Sequence, residues 1–299
     1  MSEIGDQVPT IFHYCSAAAF KSIIESKSLW LTDLHQTNDA REGREVTEAV
    51  VDLLREMKVE EYQIKRWRET YDSSYDLCQG YGFCLSEDGD LLSQWRGYAD
   101  DGHGFAIGFN GNLLRDIAKK RTSSAEGFPL YSLQQVEYER HIQKNSLKNE
   151  AEVIRNCVTD GALNHHRIPS LLSFESDEET KIKQEKAWHT LSMVHFVLSY
   201  IRRFGIKHSS FKEEKEWRLF AAHLNTDSGF SEAVTGVLNF LPRRHSLVPY
   251  LKFEIDPEAL FTKIVLGPRN RIPSMALKSF LRKNRLLNIQ VDKSVAPYL

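Results

Sequence analysis

Strand-like segments lie at both ends of this chain and helical patterns fill the stretch between them, which limits its fold more than any other feature. The strand-like segments are short and rich in β-branched and aromatic residues; they are 11–15, 29–34, 80–86 and 105–109, and later KEWRLFA, LVPYLKFEI and FTKIVLG. Residues 145–204 are mainly helical in pattern. This order predicts an α+β protein with a single mixed or antiparallel sheet core and a large helical insert.

The same order predicts one domain. A chain of 299 residues can form one large domain or two modest ones, and no run rich in Pro, Gly or Ser marks a linker. We therefore predict a single domain over residues 1–299. Within it, 1–140 supplies the N-terminal half of the sheet with its helices, 141–205 the helical insert, and 206–299 the C-terminal strands and helix.

Composition and charge narrow the class of protein. The formal net charge of −2 gives no bulk attraction to nucleic acid or to acidic membranes. No apolar run approaches the length of a membrane span, so we expect no membrane association. The four cysteines show no CxxC pair and no zinc spacing, and no secretory signal pattern is present. We therefore expect reduced thiols, a cytoplasmic location and no bound metal.

Familiar catalytic and phosphate-binding motifs are absent from the sequence. There is no GxxxxGK[ST] loop, no GxGxxG after a strand, no HExxH and no GxSxG elbow. Any active or binding site in this chain is therefore built from residues that do not follow these fixed spacings.

The run EEKEWRLF, residues 213–220, carries the charged pair that points most directly to chemistry. In a strand, Glu216 and Arg218 lie on one face, while Trp217 and Leu219 lie on the other and look like core. A carboxylate fixed beside a guanidinium on a rigid strand is either a structural ion pair or part of an active site. The run alone leaves both alternatives open.

Three other segments place polar side chains in strand, turn or short-helix settings. They are HYCS at 13–16, the turn TNDAREG at 37–43, and the block from Phe83 to Phe109 that contains SQWRGYADDGHG. The turn also reads as a simple helix entry, with carboxylates favoured by the helix dipole. In the block, Leu91, Trp95 and Tyr98 share a helical face, which is equally typical of core packing.

Taken together, these segments resemble the bacterial family catalogued as domain of unknown function 2971. The family pattern has an aromatic-rich first strand, an N-D-x-x-E turn, a C-x-S…W-x-x-Y-A-D…G-x-A-I-G-F block and an E-K-E-W-R strand. It is matched here by IFHYCS, Asn38 to Glu42, Cys84 through Phe109, and Glu214–Arg218, with KIVLGP at 263–268 also fitting. This resemblance runs nearly end to end.

A more distant resemblance is to ADP-ribosyltransferase-like folds, and it implies a split sheet. In those enzymes a strand histidine holds a ribose of NAD, an aromatic side chain stacks on nicotinamide, and a late-strand glutamate bonds the ribose 2′-hydroxyl. His13, Trp95 or Tyr98, and Glu216 are similar to these three elements. A carboxylate there stabilises the oxocarbenium-like sugar left when nicotinamide departs. Arg218 would hold Glu216 ionised or bind a phosphate.

The resemblance thus implies an NAD-dependent ADP-ribosyltransferase-like enzyme, suited to a toxin or an antiphage defence effector, which modifies a nucleic acid or a protein or hydrolyses NAD. The catalytic residues would be Glu216 and His13. The substrate-binding residues would be Tyr14, Ser16, Ser86, Trp95, Tyr98 and Arg218, with Asn38, Asp39, Glu42 and Arg96 as weaker candidates.

Two other functions stay open at this point. One is a metal-dependent nucleic-acid-processing effector built around Asp39, Glu42, Asp100 and Asp101. The other is a non-catalytic module that binds a nucleotide-type small molecule or a partner protein. A pocket lined by His13, Glu216 and one of the two aromatics would favour the enzyme. Burial of Glu216 and Arg218 beneath the helical insert would count against it.

Overall fold

The computed structural model describes residues 7–36, 43–73, 78–124, 131–164, 177–224, 238–243 and 246–298. The predicted site residues Asn38, Asp39 and Glu42 lie outside the described residues.

The described strands belong to one ten-stranded sheet. They are β1 (Thr10–Cys15), β2 (Ser28–Asp33), β3 (Cys78–Ser86), β4 (Phe105–Asn110), β5 (Tyr131–Gln135), β6 (Glu216–Leu224), β7 (Asn239–Arg243), β8 (Ser246–Glu254), β9 (Phe261–Leu266) and β10 (Gln290–Lys293). All strand pairs are antiparallel except β9 with β10. The predicted α+β class with a single mixed sheet is therefore confirmed.

The described helices are unevenly spread along the chain. They are α1 (Ala17–Ser26), α2 (Glu45–Glu56), α3 (Glu61–Ser73), α4 (Leu92–Tyr98), α5 (Gly111–Ser124), α6 (Arg140–Ser146), α7 (Lys148–Thr159) and α8 (Glu178–Val197), followed by Pro257–Leu260 and Ser274–Lys283. A π-helical turn, Leu198–Arg202, extends α8. Among the described helices, none is long and apolar enough to cross a membrane.

The sheet branches at β3. Strand β6 pairs with β3 along nine residues, from Cys78 to Ser86, and so occupies one edge of it. The other edge is shared, because β1 pairs with β3 at Ser86 and β2 pairs with it at Tyr81 and Gly82. Beyond β1 the order is β4, β9, β10, and beyond β2 it is β8, β7. Strand β3 is thus the junction of the sheet.

One face of the sheet carries the main hydrophobic core. Side chains alternate along a strand, so Ile11, Phe83 and Leu219 turn to the same side, where α1, α5 and the helix Ser274–Lys283 cover them. Each of these helices has an apolar stripe, as Phe20, Ile23 and Ile24 show for α1.

The opposite face is covered in separate patches. Helix α4 covers one patch with Trp95 and Ala99, which pack on Phe12 and Tyr14. A second patch joins Leu34 and Phe220 to Tyr200 and Phe204 at the end of the helical stretch. The predicted insert does not form its own core, because α7 and α8 pack with α2 and α3 from the first part of the chain.

Candidate functional site

The register of β3 with β6 sets which side chains share a face. Cys84 lies opposite Arg218 and Ser86 lies opposite Glu216. All four belong to the face away from the main core, since Phe83, Leu85 and Leu219 alternate with them and lie within that core. The predicted pairing of Glu216 with Arg218 on one strand face is therefore present in the structure.

Glu216 and Arg218 form an ionic cluster with Lys207 and Glu214. Arg218 donates from Nε and Nη2 to the two oxygens of Glu216 at 2.7 and 3.0 Å. Lys207 Nζ donates to Glu216 Oε2 at 3.1 Å and to Glu214 Oε2 at 2.7 Å. Two cations face two carboxylates, so the formal charges of the ionic cluster cancel.

The ionic cluster is sealed from solvent at Glu216. This residue is 4% exposed and Arg218 is 1% exposed. Burial alone raises the pKa of a carboxyl group, but Arg218 and Lys207 outweigh it and lower the pKa of Glu216 to about 2. The carboxylate is therefore ionised at neutral pH, and hydrogen bonds already engage both of its oxygens.

Contacts with α6 and with the residues that follow α8 cover the ionic cluster. Arg218 Nη1 donates to the carbonyl of Phe204 at 2.8 Å. Gln143, on α6, donates to the carbonyls of Glu137 and Lys207, each at 2.9 Å. These contacts fix Lys207 above the strand, because its backbone is held independently of its ammonium group.

Beside the ionic cluster, the sheet face is open to solvent at Cys84, and we call the space above this residue the cleft. Cys84 is exposed although it belongs to the junction strand β3. Two residues before it, Leu34 covers Gly82. Two residues after it, Ser86 pairs with Phe12, which α4 covers. The cleft over Cys84 is thus the gap between two covered patches of one sheet face.

Tyr98 and Glu214 line the rim of this cleft. The Tyr98 side chain is 43% exposed and its hydroxyl donates to Glu214 Oε1 at 3.3 Å. Burial of part of the ring and the charge of Glu214 raise the pKa of Tyr98 to about 12, so its hydroxyl keeps its proton. The rim therefore offers an aromatic face, a hydroxyl and a carboxylate.

The Cys84 thiol is held in its protonated form. The surrounding protein and the carboxylate of Glu216 raise its pKa well above the usual range, and the thiol hydrogen-bonds to Glu216. A protonated thiol is a weak nucleophile. Cys84 therefore suits a contact surface better than covalent catalysis.

His13 is close to Cys84 but belongs to the other face of the sheet. Its ring stacks on Phe83, with centroids 3.9 Å apart, and its Nδ1 donates to the Cys84 carbonyl at 2.8 Å. Burial lowers the pKa of His13 to about 4, so the ring is neutral at pH 7. His13 and Glu216 thus reach the same residue of β3 from opposite faces rather than lining one cleft.

Several other predicted site residues serve as local supports. Ser16 caps α1, accepting from the backbone of Ala19. The Tyr14 hydroxyl accepts from Leu91 N and donates to the Asp88 carbonyl. Ser86 is buried and donates to the Glu214 carbonyl at 2.7 Å. Trp95 is fully buried. Of the two predicted aromatics, only Tyr98 therefore reaches the cleft.

The residues named for a metal site are partly outside the described chain. Asp101 pairs with Arg269 at 2.5 Å. In the described ranges, no group of three or more His, Cys, Asp or Glu is arranged to hold a metal ion. Arg96, the remaining candidate, is exposed and its guanidinium lies 5.2 Å from the centre of the Tyr298 ring.

Two open concavities lie elsewhere and contain none of the predicted residues. One, of about 390 Å³, opens between Arg66, Leu163 and Trp188. The other, of about 480 Å³, has Val136 and Tyr138 at its base and Lys212 and Lys215 at its edge.

Lys207, Glu214 and Cys84 are not among the site residues predicted from the sequence. Cys84 had a usable signal, because it alternates with Phe83 and Leu85 and so belongs on the face of Glu216 and Arg218. Lys207 had none, since its segment lacks periodicity and its place depends on packing of the helical stretch.

Comparison with known families gives one result. Residues 94–219 match the family model described as "Protein of unknown function (DUF2971)". This range begins within α4 and includes α5 to α8 and the beginning of β6 with Glu216 and Arg218. It therefore supports the family resemblance over the part of the chain that forms the ionic cluster. No curated protein and no solved structure matches the chain.

Proposed function

We propose that this protein binds a nucleotide-type small molecule in the cleft over Cys84. The observation that supports the proposal is the exposure of Cys84 on the junction strand, where both neighbouring positions on the same face are covered. Ligand sites are preferentially concave gaps of this kind, lined by apolar surface with a few placed polar groups.

The chemistry of the rim fits such a ligand. Tyr98 presents part of an aromatic face on which a flat base can stack. Glu214 presents Oε1, which accepts only the long 3.3 Å bond from Tyr98, so a ribose hydroxyl can replace that bond while Lys207 keeps Oε2. The ionic cluster beneath holds Glu214 in place through Lys207. NAD and ADP-ribose are therefore the first ligands to test.

We favour binding alone: the protein holds the nucleotide, and Glu216 takes no part in chemistry. Stabilising an oxocarbenium-like sugar needs uncompensated negative charge near the reacting carbon. Glu216 is instead buried, and Arg218 and Lys207 both bond its oxygens. The carboxylate that reaches the cleft rim is Glu214.

The second candidate function is ADP-ribosyl transfer from NAD, and one observation favours it. His13 and Glu216 converge on Cys84 from the strands on either side of β3, through its carbonyl and its thiol. If ligand binding displaced the Cys84 thiol, Glu216 would gain a free lone pair for a ribose hydroxyl. Consumption of NAD would then depend on Glu216.

Thermal shift with NAD, ADP-ribose and nucleoside mono-, di- and triphosphates tests the binding proposal. We expect at least one nucleotide to raise Tm in wild type and in Cys84→Ser, and to have no effect in Cys84→Trp, whose indole fills the cleft. Tyr98→Ala should weaken binding roughly tenfold through lost stacking. Tyr62→Ala is the matched control, since Tyr62 is 63% exposed on α3. No shift with any nucleotide would contradict the proposal.

Nicotinamide release from NAD, measured on the same samples, separates the two candidates. Binding without release supports the non-catalytic module. Release that disappears in Glu216→Gln, measured at a temperature where the variant is still folded and still binds the nucleotide, would replace it with the enzyme.

A further inference from the structure

The segment 294–298 lies along α4 and the turn that follows it. Its backbone enters beside β9, where Ser294 N donates to the Leu266 carbonyl at 2.8 Å. Ala296 then packs against the patch that contains Trp95 and Ala99. Tyr298 reaches the turn beyond α4, where Gly102 adopts a positive φ of 82°. We call residues 294–298 the strap.

Asp90 joins the beginning of α4 to the strap. Its Oδ1 accepts from Trp95 Nε1 at 2.7 Å and from the Ser294 hydroxyl. Its Oδ2 accepts from the backbone N–H of Val295 at 2.8 Å. One carboxylate therefore holds the buried tryptophan of α4 and the first residues of the strap together.

Tyr298 joins the end of α4 to the strap. Its hydroxyl donates to Asp101, and the guanidinium groups of Arg96 and Arg269 lie 5.2 and 5.3 Å from the centre of its ring. Asp101 and the residue before it, Asp100, have positive φ values of 51° and 50°. This backbone conformation is unfavourable for aspartate and needs surrounding contacts to maintain it.

Helix α4 depends on such contacts because it is short. Helices of seven residues are far below the length that is stable on its own in water. Its Tyr98 forms the rim of the cleft. We propose that Asp90 and Tyr298 are positioning residues that hold α4, so that the strap controls access to Cys84 and the affinity of the cleft for its ligand. The affinity part rests on the proposed function, whereas the access part does not.

Alkylation of Cys84 by iodoacetamide measures access directly. Asp90→Ala and Tyr298→Ala are expected to raise its rate roughly fivefold or more, because Tyr98 of α4 stands beside the exposed thiol and moves away from it more often when these contacts are lost. Tyr62→Ala, a surface tyrosine remote from the strap in sequence, should leave it unchanged. The buried Cys15 and Cys157 are internal controls, and their labelling reports general unfolding rather than opening of the cleft.

The outcomes are distinct. Faster labelling of Cys84, with Cys15 and Cys157 still protected, supports the strap. If Asp90→Ala fails to fold, Tyr298→Ala decides alone, since it alters a contact at the protein surface. An unchanged Cys84 rate in the folded variants overturns the inference.

If labelling responds but no nucleotide raises Tm, the strap stands and the proposed function fails. If a nucleotide raises Tm but labelling does not respond, the proposed function stands and the strap fails.

Discussion

Glu214 and Glu216 are two residues apart and share Lys207, yet their surroundings differ. Glu216 lies within β6, is 4% exposed and bonds Arg218 through both oxygens. Glu214 ends the 3₁₀ turn before that strand and bonds the partly exposed Tyr98. One carboxylate is buried as part of the sheet, and the other faces the cleft.

The difference shows that the charged residue at the centre of a sequence motif need not be the one that a ligand can contact. Within EKEWR, the fixed strand position of Glu216 places it where Arg218 and the helical stretch neutralise and cover it. Glu214 precedes the strand and keeps somewhat more exposure, 16% of its side chain against 5% for Glu216. The comparison predicts a structural role for Glu216 and a contact role for Glu214.

The largest expected effect is on stability. Glu216→Gln removes the carboxylate that Arg218 and Lys207 share and leaves Lys207 only that of Glu214, and breaking a buried pair in this way costs about 3–5 kcal/mol. Glu214→Gln should cost less than Glu216→Gln, because Lys207 keeps its bond to Glu216 and the Glu214 side chain is 16% exposed against 5% for Glu216. Urea unfolding measures both. Equal losses in the two variants would remove the distinction between the glutamates.

This expectation changes how Glu216→Gln is used. A catalytic role for Glu216 would imply lost turnover in an intact fold, whereas the buried ionic cluster predicts a less stable protein. Activity data for that variant therefore need its unfolding curve measured alongside.

The next effect is on the pH dependence of stability. The folded pKa of Glu216 is lowered to about 2 from an ordinary value of 4.5. Its contribution to the free energy of unfolding is therefore complete above pH 4.5 and is lost as pH falls through 2. Urea midpoints of wild type and Glu216→Gln should converge over this window. A constant gap between them would mean that the carboxylate does not have a lowered pKa.

A smaller effect separates the open cleft from the core. Iodoacetamide reacts with the thiolate, and the pKa is raised at Cys84, Cys15 and Cys157 alike, so labelling is slow at all three. At pH 8 it should still be roughly tenfold or more faster at Cys84, because only Cys84 is exposed among these three. Peptide mapping by mass spectrometry gives the rates. Equal protection of the three thiols would show that the cleft is closed in solution.

The smallest effect concerns the rim itself. Tyr98→Phe removes the 3.3 Å hydrogen bond to Glu214 but keeps the ring. We expect the free energy of unfolding to change by less than about 1 kcal/mol, as for other exposed hydrogen bonds. Tyr62→Phe, at an exposed tyrosine on α3, is the matched control. A loss of several kcal/mol would place Tyr98 in the core instead of at the rim.

Local signals in the sequence predicted much of the fold. The strand predicted at 105–109 is β4, Phe105–Asn110. The strand predicted at 80–86 is β3, Cys78–Ser86, and begins two residues earlier. Strand ends depend on pairing with β6, which one sequence does not reveal. The branching of the sheet at β3 is equally non-local.

The candidate site was predictable only in part, for the same reason. Alternation along a strand places Glu216 and Arg218 together. It does not place His13 relative to them, because that requires the Phe12–Ser86 register between β1 and β3. Burial of Glu216 depends on Lys207 and Phe204, which the chain brings in from the end of the helical stretch.

The most direct test of nucleotide binding over Cys84 follows the reactivity of the Cys84 thiol itself. The rate at which iodoacetamide alkylates Cys84 is measured with increasing NAD, ADP-ribose and other nucleotides, with Cys15 and Cys157 as references. We predict saturable protection of Cys84 by at least one of them, because the ligand would cover the floor of the cleft. A Cys84 rate that no nucleotide changes would contradict the claim that this cleft is the binding site.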